Sequence, residues 1–204
     1  MKWLTRRGTV AALAVGLATL SGFGWRGLGL LLAFFISGSL LTAAAKGSEK
    51  GGGGGRRNAR QVIANGGVAA LAALAGSWVW FAGALAAANA DTWATEIGSH
   101  SPSRPRLITN GQPVPAGTDG GITLLGTAGG IAGALFMAAL ATLLAPGGGE
   151  SFVTVALAGI AGMLVDSLLG ATLQGRLTWL DNDAVNLAAT AAGAGAAPLF
   201  GMLS

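Results

Sequence analysis

The chain has no cysteine, no tyrosine and a single histidine, His100, among its 204 residues. Without cysteine there are no disulfides, no thiolate zinc sites and no thiol nucleophiles. One histidine excludes a histidine-rich metal centre and weakens any serine–histidine–aspartate reading; His100 reads as a loop residue. Charge is scarce too. Twelve Lys/Arg and eight Asp/Glu make up 10% of the chain, whereas soluble domains carry about 25%.

What is present fits that poverty. The chain is 52% hydrophobic, with 36 glycines, and its mean hydropathy is +0.62. These figures predict an all-α, polytopic membrane helical bundle in which small residues let helices approach closely. No polar block is long enough to fold by itself, so one integral membrane domain over 1–204 is expected.

Lys2, Arg6 and Arg7 precede a small apolar run that reads as a first transmembrane helix over about 8–21, in preference to a cleaved signal. Ser21-Gly22-Phe23-Gly24 reads as a turn, and Trp25–Ala45 as a second helix with Trp25 as an interfacial anchor. Lys46–Arg60 holds Lys46, Lys50, Arg56, Arg57 and Arg60 against Glu49, with five glycines at Gly51–Gly55. This loop reads either as a phosphate-contacting loop or as a topology signal on a floppy linker. The apolar stretch 61–90 is one span, or two shorter helices turning at Gly76-Ser77. The hairpin is preferred because it gathers nearly every charge on one side; the total is then about seven helices, or six if 61–90 is one span. The turns near Gly22, Gly76 and Pro146–Glu150 are left on the other side, with Arg26 and Glu150. The positive-inside rule makes the charged side cytoplasmic. Four prolines make Ser99–Asp119 a loop. The next helix is expected over about 120–144, capped by Thr118 or Asp119 and offering free N–H groups to an anion. Helices over 151–173 and about 184–203 complete the bundle, with Gly195–Pro198 as a kink site in the last.

Asp91 and Glu96 end the apolar run, and Asp166 lies inside a later one. An acid at membrane depth marks a functional site by default. Five positions on a helix turn through about 500°, so Asp91 and Glu96 point about 140° apart and Asp166 becomes a candidate partner for Asp91. The charged side collects Asp91, Glu96, Asp119, Asp166, Asp181 and Asp183, with Asn65, Asn182 and Asn186 and the arginines 56, 57, 60, 104 and 106. This mixture suits Mg²⁺ and polyphosphate chemistry. It also suits a cation or proton path, or structural caps and interhelical hydrogen bonds. The glycine run lacks a GK[ST] ending, so a P-loop is not supported.

The blocks Gly55-Arg56-Arg57-Asn58-Ala59-Arg60-Gln61-Val62-Ile63-Ala64-Asn65-Gly66 and Ala90-Asp91-Thr92-Trp93-Ala94-Thr95-Glu96-Ile97-Gly98 are followed by Pro105–Thr109, Pro115–Gly121, Asp166–Gln174 and Asn182–Asn186. In this order they resemble the motifs of a membrane family that includes the plant phytyl-phosphate kinase and eukaryotic transmembrane relatives. The order Asp91…Ala94…Gly98, Gly117-Thr118…Gly121, Asp166-Ser167 is more distantly similar to dolichol kinase and CDP-diacylglycerol synthase, without the lysine of their second block. The resemblance implies a membrane kinase moving a phosphoryl group from a nucleoside triphosphate, CTP among the donors, to an isoprenyl monophosphate such as phytyl phosphate. Asp91, Glu96 and Asp166 are then expected to hold Mg²⁺. Arg57, Asn58, Arg60, Gln61, Asn65, Arg106 and Asn186, with the Gly117, Thr118, Gly120 and Gly121 helix entrance, are expected to bind phosphate and nucleotide. The partners are the bilayer, the isoprenyl phosphate and the nucleotide, with no nucleic acid, and the location is a bacterial plasma membrane. The alternatives are an ion-coupled transporter or lipid flippase, and a nucleotidyltransferase on a lipid phosphate.

Overall fold

A computed structural model of the chain describes residues 3–45, 56–148 and 151–202. Among them are six helices: α1 (Arg6–Ala45), α2 (Ala59–Leu74), α3 (Trp78–Gly98), α4 (Leu124–Leu144), α5 (Phe152–Thr172) and α6 (Asn182–Gly201). Four of these, α1, α4, α5 and α6, are long and apolar enough to cross a membrane.

The 40 residues of α1 are two limbs, not one rod. Gly24 interrupts the helix with φ 58° and ψ −146°, a conformation that residues with a Cβ rarely adopt. The limbs fold back on each other: a Cβ at Gly16 would lie 4.0 Å from the Leu28 side chain, and the Trp3 and Phe35 rings meet edge to face at 5.8 Å. Counted by limbs, the bundle has the seven helical segments that the sequence predicts.

The hairpin within 61–90 is also present. Leu74 ends α2, and Gly76 follows in the left-handed region at φ 70°. The Gly76 N–H donates to Ala73 O and the Ser77 N–H to Ala72 O, the paired bonds that close a helix on a glycine. The polypeptide reverses there, and α3 runs back towards the charged end.

α3 is the axis of the bundle. Every residue from Phe81 to Ala90 is buried, and α3 packs against α1, α2, α4, α5 and α6. A helix that is small and apolar all round fits such a central place. The contacts rest on backbone approach: a Cβ at Gly83 would lie 2.6 Å from Gly193 O, and one at Gly162 would lie 2.3 Å from Ala87 Cβ. Many larger side chains face outward instead, including Val10, Leu13, Leu17, Leu71 and Leu143, although Phe81, Leu30, Leu85 and Met137 are buried. Such an outer face is what a lipid solvent allows.

The two ends of the bundle differ chemically. At one end Gly22 abuts the Ala73 carbonyl, and Phe23, Trp78 and Phe81 form an aromatic cluster. Arg26 lies near this turn; Glu150 and residues 46–55, including most of the basic loop, fall outside the described residues. At the other end Trp3–Thr5 pair with the Arg57 backbone, Arg60 reaches Asp181 and Asp183, and the loop 99–123 lies against α5.

That loop departs from expectation. The helix predicted from about 120 begins at Leu124, capped by the Thr123 hydroxyl, which accepts from the Gly126 N–H at 2.9 Å. Before it, two two-residue strands, β1 (Arg106–Leu107) and β2 (Gly121–Ile122), pair antiparallel. Strand pairing uses the backbone groups that a helix starting at Gly120 would leave free, so Thr118 and Asp119 do not cap α4. Gly195–Pro198 lies within a continuous α6, with Pro198 inside the helix.

Candidate functional site

The polar end of α3 divides by face, as the 140° separation predicts. Asp91 turns towards α5, where its carboxyl and that of Asp166 are neighbours. One oxygen of Asp166, Oδ2, is buried and has no hydrogen-bond partner. Two facing carboxylates repel, and a buried oxygen without a partner is costly. The arrangement is therefore complete only with a proton or a cation between the acids.

A third acid, Asp119, lies within electrostatic reach of Asp166. Its approach is set by Gly120, at φ 70°, where a Cβ would fall 2.4 Å from both Cβ and N of Ala171. The loop can press this closely on α5 only with glycine there. The Ile108 N–H donates to Gly120 O at 3.1 Å and fixes the turn from the other side.

Glu96 faces the opposite way. Its Oε1 accepts from the Thr42 hydroxyl at 2.6 Å, on the second limb of α1. Arg57 lies within electrostatic range of it. The Arg57 guanidinium sits over the rings of Phe34 and Phe35, at 5.8 and 5.6 Å. Its Nη2 would lie 2.9 Å from a Cβ at Gly38. Burial lowers the Arg57 pKa, and Glu96 opposes that shift. The guanidinium makes no hydrogen bond or ion pair within the usual limits among the described residues, so this half-buried cation keeps its donors free.

The other predicted residues are engaged in various ways. Asn58 and Gln61 form the capping box of α2: each side chain accepts from the other's backbone N–H, at 3.1 and 2.9 Å. Asn65 donates to Gln61 O. Arg60 is tied to Asp181 at 2.6 Å and Asp183 at 3.5 Å, joining the starts of α2 and α6. Asp181 also caps α6 by accepting from the Ala184 N–H. This bond first, and Arg60 second, hold the Asp181 pKa down. Arg106 donates to Gly111 O and Thr118 to Pro115 O. Gly117 and Gly120 take positive φ, and Gly121 lies in β2. Because α4 starts at Leu124, the Gly117–Gly121 segment is a turn and strand and not a helix entrance. The Asn186 side chain makes no hydrogen bond among the described residues. The Asn58 cap gives a direct expectation: Asn58→Ala lowers stability by about 1 kcal/mol, read as a shift in detergent unfolding.

Sequence reasoning passed over Asn89, the one fully buried side-chain amide. Its Oδ1 accepts from Ser37 at 3.1 Å and its Nδ2 donates to Gly133 O at 3.0 Å. Trp93 Nε1 donates to the same Ser37 hydroxyl at 3.3 Å. These bonds tie α1, α3 and α4 and fix the rotation of α3, and with it the opposed directions of Asp91 and Glu96. The legible signal was an asparagine inside the alanine run 86–90.

The residues fit a divalent cation in one respect and limit it in another. Mg²⁺ is commonly held by one or two carboxylates together with substrate phosphate oxygens, and Asp91 and Asp166 supply such a pair. Among the described residues no group of three or more His, Cys, Asp or Glu is gathered to hold a metal. A cation bound at the pair would therefore need ligands from water and substrate.

The chain matches the family described as integral membrane protein DUF92 over residues 1–194. It is 36% identical over 198 residues to the uncharacterized membrane protein MJ0933 of Methanocaldococcus jannaschii, covering 93% of this chain and 82% of that protein. It is 35% identical over 202 residues to the uncharacterized membrane protein sll0875 of Synechocystis, covering 91% and 78%. Protein VTE6, chloroplastic, of Arabidopsis thaliana is 26% identical over 203 residues, covering 90% of this chain and 61% of that protein. No solved structure matches the chain.

Proposed function

The chain belongs to the DUF92 family of integral membrane proteins, and on that premise we propose that it is a Mg²⁺-dependent membrane kinase. It transfers a phosphoryl group from a nucleoside triphosphate, CTP being the first donor to test, to an isoprenyl monophosphate such as phytyl phosphate. The charged end of the bundle faces the cytoplasm of a bacterial cell in this reading, as the positive-inside rule asks. The observation that carries it is the Asp91–Asp166 pair with its partnerless Oδ2, at the polar end of a lipid-embedded bundle. The motif blocks that resemble the phytyl-phosphate kinase family supply the reaction class.

Asp91 and Asp166 would hold the Mg²⁺, which supplies neutralisation of phosphate charge. An oxygen of the isoprenyl phosphate attacks the γ-phosphorus, and the bond from that phosphorus to the β,γ-bridging oxygen breaks. Isoprenyl diphosphate and a nucleoside diphosphate leave. The attacking oxygen is already ionised, so no strong general base is needed. Arg57, half-buried with its donors free, is suited to a phosphate oxygen, and Glu96 holds its charge in place from the far side. The isoprenyl tail stays between helices or in lipid, so only the phosphates need enter the polar end.

The test is product identification. Purified protein in nanodiscs with labelled nucleotide, Mg²⁺ and phytyl phosphate is expected to yield nucleoside diphosphate and phytyl diphosphate, and EDTA to stop it. Pyrophosphate release with a nucleotide-linked lipid would mean nucleotidyl transfer instead. Substrate movement across liposomes without nucleotide turnover would mean transport.

A further inference from the structure

A cavity of about 690 Å³ opens at the charged end beside both limbs of α1, lined by Trp3, Leu4, Arg6, Thr9, Phe35 and Arg56 among others. Among the described residues no acid lines it. Trp3 Nε1 is buried and has no hydrogen-bond partner. An unpaired indole N–H is an uncommon cost, since such groups find acceptors when buried. Arg56 is held in place by Nε and Nη2, which both donate to Leu4 O at 2.8 and 2.6 Å, leaving its Nη1 donors free. Arg6 is exposed and makes no ion pair among the described residues. The first turn of α1 starts at the same place, with the Thr5 hydroxyl accepting from the Gly8 N–H at 3.0 Å, and adds the positive end of a helix dipole.

The surroundings say what kind of anion belongs there. Exposed apolar side chains leave the cavity along both limbs. Val10, Leu13 and Leu17 follow Arg6 at helical spacing, and Ile36 and Leu32 run away from the charged end beside Phe35. Two guanidinium groups, an indole donor and aromatic faces at the head of apolar stripes are the environment of a lipid headgroup at a membrane interface. A free anion would have no use for the stripes.

We propose that this cavity binds the phosphate headgroup of an anionic membrane lipid, with its chains along the outer face of α1. The site is separate from the Asp91–Asp166 pair and does not rest on the kinase reading. Phe35 joins the two regions, because it carries Trp3 against its edge and Arg57 over its ring, at 5.8 and 5.6 Å. An occupied cavity therefore presses on the ring that positions Arg57.

The test is lipid retention by native mass spectrometry on the purified full chain, titrated with phosphatidylglycerol, phytyl phosphate, phosphatidylcholine and inorganic phosphate. Phosphatidylglycerol and phytyl phosphate are expected to bind about tenfold more tightly than phosphatidylcholine. Arg6→Gln is expected to weaken phosphatidylglycerol about tenfold, and Trp3→Phe by several-fold, since it removes the N–H and keeps an aromatic ring. Arg26→Gln, a cation lost at the opposite turn, is expected to change nothing. Equal retention of phosphatidylcholine overturns the proposal, and so does wild-type retention in Arg6→Gln. Inorganic phosphate binding as tightly as lipid also overturns it, in favour of a free-anion site. If Trp3→Phe fails to fold, Arg6→Gln, an exposed change, still decides the matter, with its unfolding temperature as the control.

Discussion

On the kinase reading, Asp166→Asn is expected to remove nearly all turnover and to leave the protein as stable as before or more so. The substitution keeps the shape of the side chain, and an amide can donate to the Asp91 carboxylate. It removes one of two facing negative charges and the buried oxygen that has no partner. Each of those features costs stability when nothing lies between the acids. Unfolding measured in detergent without metal is therefore expected at the same temperature or a few degrees higher. On that reading, loss of one of the two carboxylates that would hold the cation is expected to cost about 4 kcal/mol of transition-state stabilisation, about a thousandfold in rate. The paired readings separate function from architecture. If Asp166 served only packing, the asparagine variant would keep its turnover and melt lower.

Gly193→Ala is expected to unfold the bundle at markedly lower temperature, while Gly195→Ala, two residues on in the same helix, raises it. A Cβ at Gly193 would lie 2.6 Å from Ala87 Cβ and 2.7 Å from Gly83 O. The second contact is with backbone, which cannot swing aside. α6 must move off α3, and α3 is the axis on which every other helix packs. Overpacking of this kind costs about 1–3 kcal/mol in a well-packed core, and loss of a close crossing adds to it. At Gly195 nothing lies within 4 Å, so alanine brings only its better helix propensity, up to about 1 kcal/mol. Equal shifts in the two variants would mean that the α3–α6 crossing does not limit stability.

The contrast between two neighbouring glycines also shows where sequence ceases to be informative. The sequence contains glycines throughout α6, and nothing in their spacing distinguishes a contact from an open position. Turns were different. Gly24 and Gly76 stand beside polar or aromatic residues between apolar runs, and both take positive φ where the chain reverses. Thr118-Asp119-Gly120-Gly121 has the composition of a cap, yet α4 starts further on. Only the pairing of β2 with β1, a contact between residues about 15 positions apart, moves the helix start to Leu124, behind the Thr123 cap.

By itself the sequence determined the solvent. Few charges, long apolar runs and abundant glycine require a lipid-embedded helical bundle, because the backbone must satisfy itself there. The placement of charges in a few segments favours a hairpin over 61–90, and the reversal at Gly76 makes it. It also determined that Asp91 and Glu96 point apart, since that follows from helix geometry alone. The tertiary structure decided what each one meets. Which face of α3 turns towards α5 depends on its rotation about its axis. That rotation is set by glycine contacts at Gly130 and Gly162 and by the Asn89–Ser37–Trp93 bonds, all of them between segments distant in sequence. Asp91 is thereby brought to Asp166, and Glu96 to Thr42 and Arg57.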